Sequence, residues 1–332
     1  MLSYIVRRIL MLIPLLAIIS VVIFAIIQLP PGDYLTTYIS NLEASGVRVT
    51  EDQAAALRRQ YGLDLSPTGQ YFRWITNILL EGDFGRSFSW NKPVSELLIE
   101  RVPLTMGISL ATTVFIFVVS IPIGIYSATH KYSLFDYFFT FLGFIGLSVP
   151  GFLLALVLMW FAFTTFDMSV GGLFSPEYVD APWSLARIWD MMKRLWFPIV
   201  VIGMSGTAGL IRVMRGNLLD ELQKQYVITA RAKGVPERDV LFRYPVRIAV
   251  NPIISTIGWI LPAIVGGEVL VSIVLGLQTT GPVLLQAVLF QDMYLAGSIT
   301  LILSVLTVIG TLIADILLVW LDPRIRFGGI GE

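Results

Sequence analysis

Six apolar runs dominate this chain, at residues 9–29, 104–129, 137–163, 196–213, 252–275 and 295–321. Each has about the length needed to cross a hydrocarbon core of roughly 30 Å as a helix. Of the 332 residues, 56% are hydrophobic and 14% charged, with a mean hydropathy of +0.79. A soluble chain of this length needs a larger polar surface. The sequence therefore predicts an all-α integral membrane protein with six transmembrane helices.

Several functions are excluded at once. Net charge is zero, so whole-chain charge gives no case for nucleic acid binding. There is no cysteine, hence no disulfide, thiolate metal site or cysteine nucleophile. His130 is the single histidine, which rules out a histidine metal cluster. It reads as a polar residue at a membrane edge beside Lys131. Arg7 and Arg8 before the first run resemble a signal's basic region. That apolar stretch is too long for a typical signal, and Gln28-Leu29-Pro30-Pro31 lacks a small-x-small cleavage site. It is read as an uncleaved first helix.

Pro14, Pro122, Pro150 and Pro262 fall inside runs, where freed backbone groups need protein or water partners. The fourth run is the shortest. Its Gly203, Gly206 and Gly209 would let neighbouring helices approach closely. Orientation follows from lysine and arginine placement. With the N-terminus inside, thirteen of the 23 become cytoplasmic: Arg7, Arg8, Lys131, Arg324, Arg326 and eight between Arg212 and Arg247. Both termini are then cytoplasmic.

Three regions result. Residues 1–29 are the N-terminus and first helix, 30–101 an extracytoplasmic insertion, and 102–332 a five-helix core. In the insertion, Thr50-Glu51-Asp52-Gln53 reads as a capping box opening a helix that Gly62 closes. A second amphipathic stretch begins at Gln70-Tyr71-Phe72-Arg73-Trp74, and Gly82 and Gly85 mark a turn. Ser87 and Ser89 have no histidine nearby, which argues against a serine hydrolase.

The cytoplasmic loop at about 214–247 carries the most information. From Met214 to Lys233 the pattern is helical, with Leu218, Leu222 and Tyr226 on one face. Asp220 and Glu221 sit early, and Arg231 and Lys233 late, as the helix dipole favours. Gly234 suits the position just past a helix end, and Pro236 suits the first position of the next helix. Ala230 and Ala232 leave little side chain, so a partner's groove can close on the backbone. Arg231 and Lys233 can pair with acidic groups of that partner. A plainer reading also stands: basic residues that hold the loop inside and touch lipid phosphates.

Tyr226, Thr229-Ala230-Arg231-Ala232-Lys233-Gly234 and Val235-Pro236 resemble the cytoplasmic EAA loop of ABC-importer permeases. The Thr-Ala-Arg-Ala-Lys-Gly version is similar to that of the dipeptide/oligopeptide/nickel permease family, B-type subunit. Tyr4 to Ile9, Tyr61-Gly62-Leu63-Asp64, Gln70-Tyr71, Gly82 to Phe88 and Leu321 to Arg326 match in the same order, so the resemblance covers nearly the whole chain. Ile228 replaces the general pattern's Glu, and Val246-Arg247 its Leu-Pro pair. Gln278-Thr279-Thr280-Gly281-Pro282 replaces a common Pro-Gly-Leu-Gly, which suggests a sub-branch.

The resemblance implies type I ABC importer permease architecture and a non-catalytic subunit in a bacterial or archaeal plasma membrane. It implies a heterodimer with a homologous C-type permease, two cytoplasmic ATPases that grip the loops, and an extracytoplasmic solute-binding protein. The chain itself has no phosphate-binding Gly-x-x-x-x-Gly-Lys-Ser/Thr loop, so ATP and magnesium belong to the partners. The implied solutes are di- or oligopeptides, with oligosaccharides, opines or nickel as alternatives.

Glu268 follows Gly266-Gly267 in the fifth run. A carboxylate at membrane depth is costly. It either lines the path or gates it, or it makes a structural hydrogen bond or stays protonated. Asp315 reads as a contact at the inner boundary. A stand-alone secondary transporter would need inverted repeats and paired intramembrane charges, and only Glu268 and Asp315 are present. An intramembrane protease would need a catalytic pair within the spans, which supply none.

Overall fold

The computed structural model describes residues 2–29, 64–179, 181–256 and 269–321, with isolated positions between 35 and 59. Almost every described residue of the apolar runs is helical, and among the described residues there is no strand beyond one isolated bridge, Arg86 to Pro93. The expected all-α class follows. Among the described residues, four helices are long and apolar enough to cross a membrane, or five if one bent pair counts as a single span. Half of the predicted fifth span, residues 257–268 with Glu268, lies outside the described residues, as does most of the predicted helix between Thr50 and Gly62.

The chain divides into two compact units. The first comprises residues 1–104 and 279–308. It contains α1 (Leu2–Gln28), α2 (Pro67–Glu81), the start of α3 (Val94–Thr129), and, after the second unit in the chain, Thr280–Leu289 and the first half of Met293–Leu321. Helix α2 begins where Ser66 accepts the Gly69 N–H and Pro67 needs no donor. It ends at Gly82, whose φ of 65° is left-handed. The expected turn at 82–85 is therefore present. Trp74 and Tyr71 of α2 pack with Ile23 and Phe24 of α1, and Ser20 and Tyr71 hydroxyls meet at 2.9 Å. Asp292 is fully buried at the head of Met293–Leu321. Its Oδ2 accepts from Ser87 Oγ at 2.6 Å, Ser89 N at 3.0 Å and Ser89 Oγ at 2.9 Å. Ser87 and Ser89 are thus structural donors to a buried carboxylate.

The second unit comprises residues 105–278 and 309–332. The rest of α3 is joined by α4 (Leu134–Ser148), α5 (Gly151–Phe166) and α6 (Leu185–Leu222). The third run, read as one span, is two helices bent by 114°. Pro150 is the reason. It forces extended backbone on Val149 (φ −92°, ψ 124°) and then caps α5. The fourth run begins earlier than expected, at Leu185, where Ser184 accepts the Arg187 N–H.

Helices α3 and α6 touch through glycines. A Cβ built on Gly203 would lie 2.9 Å from Phe115, and one on Gly206 2.8 Å from Ile116. Gly209 differs from the expectation, because it faces open space. The closest approach is at Gly124 of α3, where a Cβ would meet Met214 Cβ at 2.6 Å and the Ile211 carbonyl at 3.2 Å. Gly124→Val is expected to force the helices apart and to cost about 2–3 kcal/mol. Gly209→Ala should be neutral or slightly stabilising, since alanine favours helix and nothing obstructs it. Thermal unfolding of the purified complex tests both; equal melting temperatures for the two variants would refute this packing.

Candidate functional site

The loop after α6 folds on itself. The sequence pattern suggested a continuous helix from Met214 to Lys233. Instead α6 stops at Leu222, Gln223 and Lys224 turn the chain, and α7 runs Gln225–Ala232. Lys224 is extended (φ −71°, ψ 149°), and its carbonyl accepts from Val227 N at 3.0 Å. Tyr226 therefore does not continue the Leu218–Leu222 stripe. Its hydroxyl donates across the break to Glu221, and desolvation, followed by this acid, raises its pKa.

The end of α7 is a Schellman motif. Gly234 has φ 74°, its N–H donates to the Arg231 carbonyl at 2.9 Å, and Val235 N donates to the Ala230 carbonyl at 3.3 Å. Glycine is needed here for backbone reasons alone, since its Cβ position is open. Val235 then packs on Val227, Ala230 and Val240, a small core belonging to the loop alone. Helix α8 is Glu237–Arg243, so Pro236 caps it one position earlier than expected. Glu237 and Asp239 lie in its first turn.

Two of the residues expected to meet a partner make contacts within the loop itself. Ala230 is 7% exposed and faces the loop's own core, whereas Ala232 is exposed. Arg231 is engaged by Glu237, with Nη2 to Oε1 at 2.6 Å and Nε to Oε2 at 3.1 Å. The hydrogen-bonded arginine holds the Glu237 carboxyl below its usual range, and the acid raises Arg231 in turn. Because Glu237 is lowered, this support is full above the ordinary carboxylate range and is lost as pH falls through the lowered value. The pair is exposed, so it contributes little more than geometry.

Short helices Pro245–Ala249 (α9) and Asn251–Ser255 (α10) return the chain to α6. Val246, Ala249 and Ile253 pack on Met214 and Leu218, all buried. Beside them Arg215 of α6 grips Asp136 of α4 with Nε to Oδ1 and Nη2 to Oδ2, both 2.9 Å. Asp136 Oδ2 also accepts from Tyr132 N at 3.0 Å. Sequence reasoning missed this pair. Its one signal was an acidic residue, Asp136, at the mouth of an apolar run.

The outward surface of the loop carries Ile228, Thr229, Ala232, Lys233, Phe242 and Ile248. Thr229 Oγ1 is bonded back to the Gln225 carbonyl at 2.8 Å, so its hydroxyl is internally engaged. Ile228, at the position of the general pattern's Glu, is about half exposed and offers apolar contact instead of charge. Asp315 is half-buried in α12 (Met293–Leu321), which follows α11 (Thr280–Leu289). His130 stacks on Tyr126 at 4.5 Å and sits exposed at the end of α3.

Long apolar helices and one compact loop braced on a helix end define a multi-pass membrane protein. Residues 120–327 match the family described as binding-protein-dependent transport system inner membrane component, and residues 1–111 match its N-terminal counterpart. The chain belongs to this family of type I ABC importer permeases. It is 36% identical over 329 residues, 98% of this chain and 100% of the relative, to the oligopeptide transport system permease protein AppB of Bacillus subtilis. A candidate peptide permease of Brucella suis is 31% identical over 328 residues, 98% of this chain and 99% of that one. A candidate peptide ABC transporter permease of Sinorhizobium fredii is 29% identical over 325 residues, again 98% and 99%.

Proposed function

We propose that this chain is the B-type permease subunit of an ATP-driven importer of di- or oligopeptides. The observation that carries the reading is the loop at 224–249. It has its own small core, a Schellman end and an outward apolar-basic surface, and it is braced on α6. A partner's movement against such a loop is passed to a membrane helix as a rigid displacement. The names of the relatives support peptides as the solute. In this reading a C-type permease completes the path, two ATPases bind the loops, and a binding protein delivers peptide outside. ATP hydrolysis is confined to the ATPases. Glu268 remains a candidate path or gate residue on its sequence position alone.

The test is reconstitution with the partner subunits in lipid nanodiscs. Peptide-loaded binding protein should stimulate ATP hydrolysis several-fold, and the isolated chain should hydrolyse none. Absence of stimulation by any peptide-loaded binding protein would end the peptide reading. The orientation is checked with single cysteines at Asp64 and Gln223, both exposed. An impermeant thiol reagent on intact cells should label the first and spare the second. The reverse pattern would invert the topology.

A further inference from the structure

A second site lies within the first unit, at the turn following α2. A pocket of about 180 Å³ is lined by Arg73, Trp74 and Asn77 of α2, Asp83 and Arg86 of the turn, and Tyr294 of α12. Arg86 is held in place, its Nε donating to Asn91 Oδ1 at 3.0 Å and its Nη2 to the Asn91 carbonyl at 2.7 Å. Among the described residues, Nη1 has no acceptor and can meet a ligand. Asp83 Oδ1 accepts from Gly85 N at 2.9 Å and so belongs to the turn. Trp74 is 3% exposed, and its Nε1 has no acceptor among the described residues. Two guanidinium groups against one carboxylate leave the pocket one net positive charge.

Size and chemistry together select the occupant. Pockets for free small molecules usually measure about 300–1,000 Å³. This one is too small for a peptide and suits a single side chain. Guanidinium forks match carboxylates in shape and charge. Aromatic walls beside arginine are also the usual composition of a protein–protein anchor point. We infer that the pocket receives an acidic side chain of the docking solute-binding protein. The carboxylate lies between Arg73 and Arg86, and its aliphatic stem lies against Trp74 and Tyr294. Asp83 opposes the incoming charge and weakens the contact. This inference rests on the importer reading, with residues 30–101 outside.

The experiment measures the affinity of the system's peptide-loaded binding protein for the complete nanodisc complex. Arg73→Glu and Arg86→Glu should each weaken it by about tenfold or more, because like charges are then juxtaposed. Arg73→Gln should weaken it less. Asp83→Asn keeps the acceptor for Gly85 but removes the opposing charge, so affinity should rise a few-fold. A merely structural role for the turn would not move affinity upward. Reversing one acidic residue on the binding protein's docking face should restore binding to Arg73→Glu. Wild-type binding with both charge reversals within twofold of it would overturn the pocket's role and leave the importer reading intact. Absence of binding by the wild-type complex would overturn both. Binding of free N-acetyl-glutamate to the complex without the binding protein, abolished by Arg73→Glu, would overturn the docking role and make this a free-carboxylate site.

Discussion

Ala230→Trp is expected to reduce binding-protein-stimulated ATP hydrolysis to the unstimulated level. Ala230 fills the junction between α7 and α8 with Val227 and Val240. An indole cannot enter that space, and overpacking by far smaller groups already costs about 1–3 kcal/mol. The two short helices must separate, and each is too short to persist without the other. Ala232→Trp makes a contrast, because Ala232 is exposed. It should leave the loop folded and act only by obstructing the ATPase. Limited proteolysis of the permease between residues 224 and 244 separates the two: cleavage should accelerate for Ala230→Trp and stay unchanged for Ala232→Trp. Gly234→Val should act in the same direction as Ala230→Trp but less strongly, since a side chain at φ 74° meets open space and only backbone strain of about 1–2 kcal/mol opposes it. Lys233→Ala removes one exposed charge and should change hydrolysis less than twofold. Full transport by both Ala230→Trp and Gly234→Val, with ATPases bound, would show that coupling runs through another surface.

Asp136→Ala is expected to destabilise the second unit measurably. The Asp136 side chain is 3% exposed and meets Arg215 through two hydrogen bonds. Removing Asp136 leaves the Arg215 charge, 27% exposed, without its partner, at about 1–3 kcal/mol. The effect should appear as a lower melting temperature and a smaller folded fraction on fluorescence-detected gel filtration. Replacing both residues with apolar ones of similar volume, Asp136→Leu with Arg215→Met, should recover much of the loss. Arg215 lies two turns before Leu222, so the pair also fixes the helix from which the loop springs. A double variant that melts normally yet shows unstimulated hydrolysis would assign the pair to coupling as well as to stability. A single variant as stable as the wild type would remove the pair from both roles.

The apolar runs and the glycine after Lys233 were readable from sequence because each follows from one local rule. Lipid demands long uninterrupted apolar segments, and a left-handed residue past a helix end demands glycine. The family followed from motif order along the chain. Pro150 was visible as a break, but its 114° bend was not, because the angle depends on what each half packs against. The inward turn of Ala230 was likewise hidden. The helical period from Met214 to Lys233 was legible, but the break at Gln223–Lys224 rephases it, so faces assigned across the break are wrong. Arg231 with Glu237 and Arg215 with Asp136 look alike in sequence, as basic and acidic residues near a membrane edge. Only the fold makes one an exposed brace and the other a buried clamp. Hydropathy along the chain thus determined which described segments form long apolar helices, and turn residues determined where the loop ends its helices. The partner each polar group chooses is set by distances between segments far apart in sequence, and those exist only once the helices have packed.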